Sequence, residues 1–461
     1  MSNGGAGSVD PQIFKAYDLR GVYGTEMGPE TAELVGRGFA RVLGELREKP
    51  THELRVGLGR DMRIQAPEMA AAVRAGLIAE GADVVDVGMV GTEMLYFLVG
   101  SRGLDGGAVV TASHNPKAYT GIKLVREGAL ALAGDSGIQR VRELIEAGLG
   151  DPQGGGDAEE VDIYTDFWER ALSFIDPSAI GPMKVVVDGG NGMAGKMVGP
   201  LLDRLDLDLT RTYWEPDGEF PDHEPNPLLE KNRRFLVDTV RAEGAELGIA
   251  WDGDSDRCFF IDGNGEFVDG DFLTALLARS LLATHPGSGV IYDVRASRAV
   301  PDTVADAGGT SHVNRVGHAF FKRAMREHEA VFGGEVSGHY YFRDFYCADT
   351  GTIPALLVLE LLSQAERPLD ELVGELRSKY FISGEINSEV ADQQAKMDEI
   401  EERFADAEIS HLDGVSVDYN DWHFNVRPSN TEPLLRLNLE SLVSHEDMER
   451  RRDEVLELIR S

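Results

Sequence analysis

The 461-residue chain carries 80 acidic and 45 basic residues, a formal net charge of −35, with ordinary apolar (42%) and charged (27%) fractions. A surface this acidic repels nucleic acid and anionic membranes, so neither is expected as a partner. No apolar run approaches the ~18 residues of a membrane span. Residues 1–10 lack the basic and apolar regions of a signal peptide, which predicts a cytoplasmic protein.

The acidic excess also indicates adaptation to a salt-rich cytoplasm. Only ten of the 45 basic residues are lysines, and dissolved salt screens the repulsion that such a charge creates. We therefore expect a halophilic protein. The alternative is a merely acidic protein from a mesophile.

Strand and helix patterns alternate along most of the chain. Predicted elements in chain order are strand 54–59, helix 67–80, strands 83–87 and 107–110, helix 163–174, strand 184–187, helix 197–205, strands 208–212 and 246–250, helix 271–282, strand 289–293, helix 317–327 and strand 330–332. The Gly-rich, acidic segment 148–160 is predicted to be a linker. Alternating strands and helices favour α/β layers.

After Arg367-Pro368 the pattern changes to strands at 380–386, 414–417, 422–426 and 434–439, with a charged helix from His445. The length predicts three or four domains at roughly 100–200 residues each. We expect α/β domains at 1–150, 155–256 and 257–368, and a smaller α+β domain at 369–461.

A serine stands on a sharp turn in Thr111-Ala-Ser-His-Asn-Pro116, directly after strand 107–110. Pro116 fixes its own φ and pushes Asn115 out of the α region, so Ser113 is presented to a cleft. The Gly-x-Ser-x-Gly elbow of a hydrolase is missing. An ordinary Ser-containing turn is the alternative.

Three carboxylates alternate in Asp252-Gly-Asp-Ser-Asp-Arg257, and a cation follows them. Mg²⁺ takes hard oxygen ligands and seldom an all-protein cage, so three aspartates plus one phosphate oxygen suit it. An EF-hand would need Gly and Glu where Arg257 and Gly263 stand. With Ser113, this loop indicates a serine that carries phosphate beside a divalent metal ion.

Two further polar motifs follow. Gly334-Glu-Val-Ser-Gly-His339 offers a carboxylate, a hydroxyl and an imidazole that suit sugar hydroxyls, although a polar loop is the default interpretation. Arg427-Pro-Ser-Asn-Thr-Glu-Pro433 combines a guanidinium fork with hydroxyls and turn N–H groups, which suits an anion such as phosphate. Lys123 is a candidate general acid/base if a neighbouring cation lowers its pKa, and His318 is another.

One segment favours a different class of enzyme. Gly190-Asn-Gly-Met-Ala-Gly195 fits the Gly-x-Gly-x-x-Gly fingerprint of a dinucleotide-binding dehydrogenase, and Asp208 stands where a ribose-binding acid is expected. That interpretation leaves the other motifs unexplained, and Asp188 interrupts the strand-to-glycine spacing.

The four ordered motifs, one per expected domain, resemble those of the α-D-phosphohexomutase superfamily, most closely its phosphomannomutase/phosphoglucomutase group. The resemblance covers the chain from about Ile13 to the C-terminus. It implies three topologically similar α/β domains and a TATA-binding-protein-like α+β domain around a central cleft. It also implies a phosphosugar substrate, Mg²⁺ as cofactor, a hexose 1,6-bisphosphate activator, and a monomer or homodimer.

The resemblance also assigns roles to residues. It implies that Ser113 carries the phosphoryl group and, with Asp252, Asp254 and Asp256, binds the metal. The remaining implied roles are sugar binding by Glu335, Ser337 and His339; binding of the non-reacting phosphate by Arg427, Ser429, Asn430 and Thr431; lining of the reacting phosphate's site by Tyr17, Arg20, His114, Lys123 and Arg257; and acid/base work by Lys123 or His318. Arg295 stands where the family usually has lysine, so its role as a ligand contact is open.

We therefore expect an enzyme that interconverts hexose 1-phosphate and hexose 6-phosphate, with mannose or glucose as the sugar. Within the family, a phosphoglucosamine mutase is the alternative, although Val336 stands where the glucosamine enzymes often have glutamine. A catalytically idle phosphosugar-binding protein is the alternative from another class.

Overall fold

The computed structural model describes residues 9–429 and 433–461. The chain forms two compact units, one from residues up to Phe267 together with His339–Glu366, the other from Val268–Gly338 together with Arg367–Ser461. No helix in the described ranges is both long and apolar enough to cross a membrane.

The first part of the chain builds a mixed sheet of seven strands. The strands are β1 (Leu19–Val22), β2 (Arg55–Arg60), β3 (Asp83–Met89), β4 (Gly106–Val110), β5 (Tyr119–Arg126), β6 (Leu130–Ala131) and β7 (Ala158–Glu160). The helices are α1 (Pro29–Arg47), α2 (Ala66–Ala79), α3 (Thr92–Arg102) and α4 (Ile138–Glu146). The order is β1-β5-β4-β2-β3-β7, with β6 beside β5. Strands β4, β2, β3 and β7 are parallel, and β5 runs antiparallel to β1, β4 and β6.

The second sheet belongs to the same unit. Its elements are α5 (Tyr164–Leu172), β8 (Met183–Asp188), α6 (Ala194–Met197), α7 (Gly199–Leu202), β9 (Leu207–Thr212), α8 (Glu230–Glu243), β10 (Leu247–Trp251) and β11 (Cys258–Asp262). The path is β11-β10-β8-β9. Strands β10, β8 and β9 are parallel, and β11 is antiparallel to β10.

The next stretch contributes to both units. Its elements are β12 (Phe267–Val268), α9 (Gly270–Thr284), β13 (Gly289–Asp293), α10 (Ala299–Asp306), β14 (Thr310–Asn314), α11 (His318–Glu327), β15 (Phe332–Gly334), β16 (Tyr340–Phe342), β17 (Ala348–Asp349) and α12 (Thr352–Ala365). In the second unit β13 pairs in parallel with β14 and β15. In the first unit β16 and β17 form an antiparallel pair.

The C-terminal part is an antiparallel sheet with helices. Its elements are α13 (Leu369–Arg377), β18 (Phe381–Ile382), β19 (Ile386–Glu389), α14 (Gln393–Arg403), β20 (Glu408–Ser410), β21 (Val415–Asp418), β22 (Trp422–Pro428), β23 (Leu434–Ser441) and α15 (His445–Arg460). The order is β18-β23-β22-β21-β20, with β19 also on β23. Three α/β sheets followed by an α+β part confirm the predicted fold class.

Two fully buried strands position the functional loops. Strand β4 is buried along its length, and a methyl group on Gly107 would come within 2.7 Å of Val99, so the small residue lets α3 pack on the sheet. The chain leaves β4 for the turn that holds Ser113. Strand β10, equally buried, leads into Asp252.

Several local predictions differ from the structure, and three of the differences have a clear physical cause. In place of one helix at 197–205, α6 and α7 are separate turns, because Pro200, the second residue of α7, has no N–H with which to continue the preceding helix. The end of the predicted linker forms the edge strand β7, whose residues are all exposed. Helix α14 was missed because it is strongly polar, and only Met397 and Ile400 are buried.

Candidate active site

The serine turn has a backbone that few residues adopt. Ser113 lies in the left-handed region at φ 49°, where a non-glycine side chain is uncommon and marks a constrained position. Its N–H donates to Oγ1 of Thr111 at 2.9 Å. The side chain is 4% exposed. The predicted sharp turn is present, and it presents the hydroxyl to neighbouring groups.

Arg63 forms hydrogen bonds with the main chain of this turn. One of its terminal nitrogens donates to the carbonyl oxygens of Ser113 (2.8 Å) and Asn115 (2.6 Å), and the other donates to Pro116 (3.0 Å). Its Nε lies 3.3 Å from Oδ2 of Asp61, and both side chains are buried. Sequence reasoning missed Arg63. The only signal was a charged Asp-x-Arg directly after a buried strand.

The aspartate loop meets the serine. Oδ2 of Asp252 accepts a hydrogen bond from Oγ of Ser113 at 2.9 Å and another from Arg257 at 2.8 Å. One oxygen each of Asp252, Asp254 and Asp256 lie within 4.8 Å of one another, and all three residues are buried. The two distant motifs that the sequence predicted to cooperate are therefore in contact.

The donor set fits a divalent cation. Among the described residues, Oδ1 of Asp254 and Oδ1 of Asp256 are buried without a hydrogen-bond partner. Hard carboxylate oxygens in one tight loop are what Mg²⁺ accepts, and a buried polar atom without a partner is costly. Asp252, Asp254 and Asp256 could therefore hold a metal ion, with Ser113 as the adjacent fourth group.

Lys123 and Thr92 complete the loop's surroundings. Nζ of Lys123 donates to Asp254 at 2.7 Å and also to Asp256, and Thr92 donates to Asp254 at 2.5 Å. Burial opposes the charge of Lys123, but the two carboxylates outweigh it and raise its pKa. This direction is opposite to the lowered pKa that the sequence analysis required for acid/base work. In this arrangement Lys123 neutralises carboxylates.

The carboxylates repel one another in a buried space. Burial raises the pKa of Asp252 and of Asp256, and the neighbouring Asp254 raises both further. For Asp254 burial is outweighed by Lys123, which lowers its pKa. Cationic charge is therefore needed to keep three carboxylates ionised together, and a divalent ion could add to that of Lys123 and Arg257.

His114 and Arg20 lie beside the serine turn. Nδ1 of His114 lies 3.1 Å from Oγ of Ser113. Burial, followed by the charges of Arg257 and Arg20, holds the pKa of His114 well below its usual value, so the imidazole is neutral near pH 7. Arg20 donates to Oδ1 of Asn115 at 2.8 Å and pairs with Asp18. Tyr17 is half-buried just before β1.

His339 lies beside the aspartate loop. Its Nε2 is 3.9 Å from Oδ1 of Asp256, and ligand atoms of His339, Asp256 and Asp349 lie within 4.8 Å of one another. The sequence pattern grouped His339 with Glu335 and Ser337 only. Asp349 was missed because it stands ten positions further on, in β17, outside any motif.

In the second unit, the carboxylate of Glu335 accepts a hydrogen bond from the backbone N–H of Gly317 at 2.8 Å. This bond connects the loop after β15 to the start of α11, where His318 stands. Glu335 is buried, and Ser337 is half-buried in the same turn. Asp293 accepts from the N–H of Val336 at 3.0 Å and fixes the turn.

Three arginines of the second unit surround one carboxylate. Glu385 lies 2.9 Å from Arg427, 3.4 Å from Arg436 and 3.5 Å from Arg295. Burial opposes the charge of Glu385, but the arginines outweigh it and lower its pKa. Ser429 accepts from Arg436 at 3.4 Å. The predicted phosphate-binding residues Asn430 and Thr431 lie outside the described residues.

Arg295, whose role the sequence left open, pairs with Asp293 at 2.8 Å. It also lies 3.5 Å from Glu385, so it belongs to the same arginine cluster as Arg427. Sequence reasoning missed Arg436 and Glu385, because both stand outside the Arg427–Pro433 motif and reach it only through strand pairing in the sheet.

The dinucleotide-like glycines have a structural use. A methyl group on Gly192 would come within 2.7 Å of the carbonyl oxygen of Gly253, and one on Gly195 would clash with the carbonyl of Trp214. The N–H of Met193 donates to Gly253 at 2.9 Å. The missing side chains allow the glycine segment to pack closely against the aspartate loop and Trp214. The glycines therefore have a packing role, and this segment gives no support to a dehydrogenase.

Four segments, which together make up most of the chain, match domains of one known protein family. Residues 11–149 match the family described as phosphoglucomutase/phosphomannomutase, alpha/beta/alpha domain I, residues 162–265 match domain II and residues 269–380 match domain III. Residues 385–458 match the C-terminal domain.

Individual relatives are similar over nearly their full length. A protein named phosphohexose mutases from Xanthomonas campestris pv. campestris (strain B100) is 42% identical over 452 residues, which cover 97% of this chain and 99% of the relative. A phosphomannomutase from Escherichia coli (strain K12) is 40% identical over 438 residues, covering 93% and 94%. The crystal structure of a phosphoglucomutase/phosphomannomutase family protein from Burkholderia thailandensis superposes with a TM-score of 0.89 at 32% identity, covering 98% and 97%.

Proposed function

Because the chain belongs to the phosphoglucomutase/phosphomannomutase family and is a phosphohexomutase of the isomerase class, we propose that it interconverts mannose or glucose 1-phosphate with the 6-phosphate. Phosphorylated Ser113 donates its phosphoryl group to the sugar and gives a hexose 1,6-bisphosphate. The other phosphoryl group then returns to Ser113. The observation that carries the proposal is the hydrogen bond from Ser113 to the buried carboxylate of Asp252.

The residues around Ser113 suit phosphoryl transfer. Such transfer needs alignment and neutralisation of charge more than covalent chemistry. Arg20 and Arg257 offer guanidinium groups to the phosphate, and neutral His114 is placed to accept a proton at Nδ1. Asp252, Asp254 and Asp256 would hold Mg²⁺, which supplies positive charge for the transferring group.

The remaining predicted residues take the rest of the substrate in this proposal. Glu335, Ser337 and His339 bind sugar hydroxyls, and acid/base work falls to His318. Lys123, the other candidate, keeps its charge and neutralises the neighbouring carboxylates. The non-reacting phosphate is bound by Arg427 with Ser429, Asn430 and Thr431. Arg427 supports this role by its guanidinium fork and the neighbouring arginines.

The proposal extends to properties of the whole protein. We propose domain limits at 1–150, 155–256, 257–368 and 369–461, a cytoplasmic monomer or homodimer, and adaptation to salt. A phosphoglucosamine mutase and an idle phosphosugar-binding protein are the alternatives. Relatives named phosphomannomutase at about 40% identity favour mannose, and the intact Ser113–Asp252 contact argues against an idle protein.

A coupled assay tests the function. The purified protein receives mannose, glucose or glucosamine 1-phosphate with Mg²⁺ and a trace of the matching 1,6-bisphosphate. We expect formation of the 6-phosphate, its loss with EDTA and its recovery on excess Mg²⁺, with mannose or glucose preferred. A preference for glucosamine selects the alternative mutase. No turnover with any sugar at low or high KCl selects the binding protein.

A further inference from the structure

A cavity of about 900 Å³ opens in the first unit. Strand β2, helix α2 and the end of β3 form one side, and α5, α6 and α7 form the other. This volume lies in the range of small-molecule sites, roughly 300–1,000 Å³. No described residue that lines the cavity belongs to the serine turn or the aspartate loop, so its occupant would be separate from the proposed substrate.

Two cations face this cavity without a carboxylate partner. Nζ of Lys196 lies 4.7 Å from the ring centre of Tyr164 and 3.4 Å from the carbonyl oxygen of Met89. Arg60 donates to the backbone oxygen of Asp61 at 3.3 Å. In the described part of the chain, neither cation forms an ion pair.

The two cations also repel each other. Burial, followed by the charge of Arg60, lowers the pKa of Lys196. A chain with 80 acidic residues can readily supply a partner for an isolated cation. Asp162 offsets the charge of Lys196 only in part, so two adjacent cations without an ion pair at one cavity indicate an anionic ligand.

The acidic residues of the cavity leave this balance in place. Asp86 is compensated by Arg74 at 3.2 Å. Asp162 accepts from the N–H of Tyr164 at 2.9 Å, and Glu160 is exposed at the rim. These carboxylates suit hydroxyl or amino groups of a ligand, whereas an anionic group of the ligand is better placed at Arg60 and Lys196.

Part of the cavity lining is apolar on both sides. Pro67, Ala70 and Ala71 of α2 contribute small side chains, and Trp168 and Pro200 face the cavity from α5 and α7. Trp168 is fixed because its Nε1 donates to the carbonyl oxygen of Met197 at 2.8 Å. A ligand that uses both the cations and the apolar lining has an anionic group and, next to it, a body that packs on apolar side chains.

We propose that this cavity binds a phosphate monoester whose body ends in a flat aromatic ring, the chemistry of a nucleoside monophosphate. The phosphate lies between Arg60 and Lys196, and the body lies along the α2 side. The proposal is independent of the mutase reaction, because it uses other residues.

Isothermal titration with adenosine monophosphate, adenosine and inorganic phosphate tests it at fixed KCl. We expect the monophosphate to bind at one site per chain, and to bind more tightly than either fragment. Lys196→Glu weakens the binding by about tenfold or more, since it reverses a ligand-facing charge. Arg60→Gln weakens it similarly. Lys231→Glu, the same change at an exposed lysine outside the cavity, leaves the affinity unchanged.

Three results overturn the proposal. The first is the absence of binding to the wild-type protein at millimolar ligand. The second is an affinity in Lys196→Glu and in Arg60→Gln that equals the affinity in Lys231→Glu. All three variants are first checked for an unchanged melting temperature. The third is an affinity for adenosine or inorganic phosphate that equals that for the monophosphate.

Discussion

The hydroxyl of Ser113 donates a 2.9 Å hydrogen bond to Oδ2 of Asp252, across 139 positions of sequence. The same carboxylate oxygen accepts from Arg257 at 2.8 Å. Because Asp252 is completely buried, this contact links the serine turn after β4 rigidly to the loop after β10. The predicted chemistry depends on that link, since a phosphoryl group on Ser113 would sit directly beside the metal-binding carboxylates.

Arg63 is predicted to position Ser113. The change Arg63→Lys keeps the charge but replaces a planar fork of donors with one ammonium group, which cannot reach the three carbonyl oxygens of the turn together. We expect kcat to fall about a hundredfold, as for a small misplacement of reacting groups, while KM changes little. Steady-state kinetics on hexose 1-phosphate measures both constants.

The matched control is Arg102→Lys, at an exposed pair with Asp166. It is expected to leave kcat unchanged. If Arg63→Lys lowers the melting temperature but retains wild-type kcat at a permissive temperature, Arg63 stabilises the fold without positioning the serine.

Arg427 is predicted to bind the substrate's non-reacting phosphate. Arg427→Gln removes a charge-assisted hydrogen bond, worth roughly 1.5–3 kcal/mol, so KM should rise about tenfold to a hundredfold. Arg403→Gln, at an exposed pair with Glu454, serves as the control. A KM equal to that of the control would exclude Arg427 from the phosphate site.

Glu93 is predicted to make stability depend on pH. It is buried against Thr350 and Thr352, and burial raises its pKa from 4.5 to about 7. Between these values the folded protein retains a proton that the unfolded chain has released. The stabilising contribution is therefore complete below pH 4.5 and is lost as the pH rises through about 7, by about 3 kcal/mol at most.

Glu93→Gln keeps a neutral, hydrogen-bonding side chain and removes this loss. The fall in melting temperature between about pH 5 and about pH 8 should therefore be smaller in Glu93→Gln than in the wild type. Glu33→Gln, at an exposed position of α1, should match the wild type. Equal slopes in all three proteins would show that Glu93 does not titrate in this range.

The net charge of −35 predicts stabilisation by salt. Raising KCl from about 0.1 M to about 1 M shortens the Debye length from about 10 Å to about 3 Å, so it weakens repulsion among surface carboxylates. We expect the melting temperature to rise steadily over this range. A melting temperature that stays constant or falls contradicts adaptation to salt.

Sequence alone predicted the elements that carry the site. Strands β4 and β10 were recognised because each is a short apolar run, and the loops after them were recognised because their residue types match one chemistry. The structure brings together Ser113 and His114 of one loop with Asp252, Asp254, Asp256 and Arg257 of the other. Arg20, whose role only the family resemblance implied, contacts Asn115 of the serine turn.

The residues that were missed act through tertiary contacts. Arg63 reaches backbone carbonyls 50 to 53 positions away, and no local pattern announces a side chain that binds main-chain oxygens. Glu385 faces Arg427 and Arg436 because β22 and β19 both pair with β23, a register that short-range periodicity cannot supply. The direction of the Lys123 pKa likewise depended on which carboxylates surround it.

The most direct test of the account is the mass of the intact protein after incubation with glucose 1,6-bisphosphate and Mg²⁺, followed by mapping of the modified peptide. The proposed mechanism requires the gain of one phosphoryl group on Ser113, its loss when mannose or glucose 1-phosphate is added, and no gain in Ser113→Ala. A protein that turns over hexose phosphates without a phosphoryl group on Ser113 would contradict it.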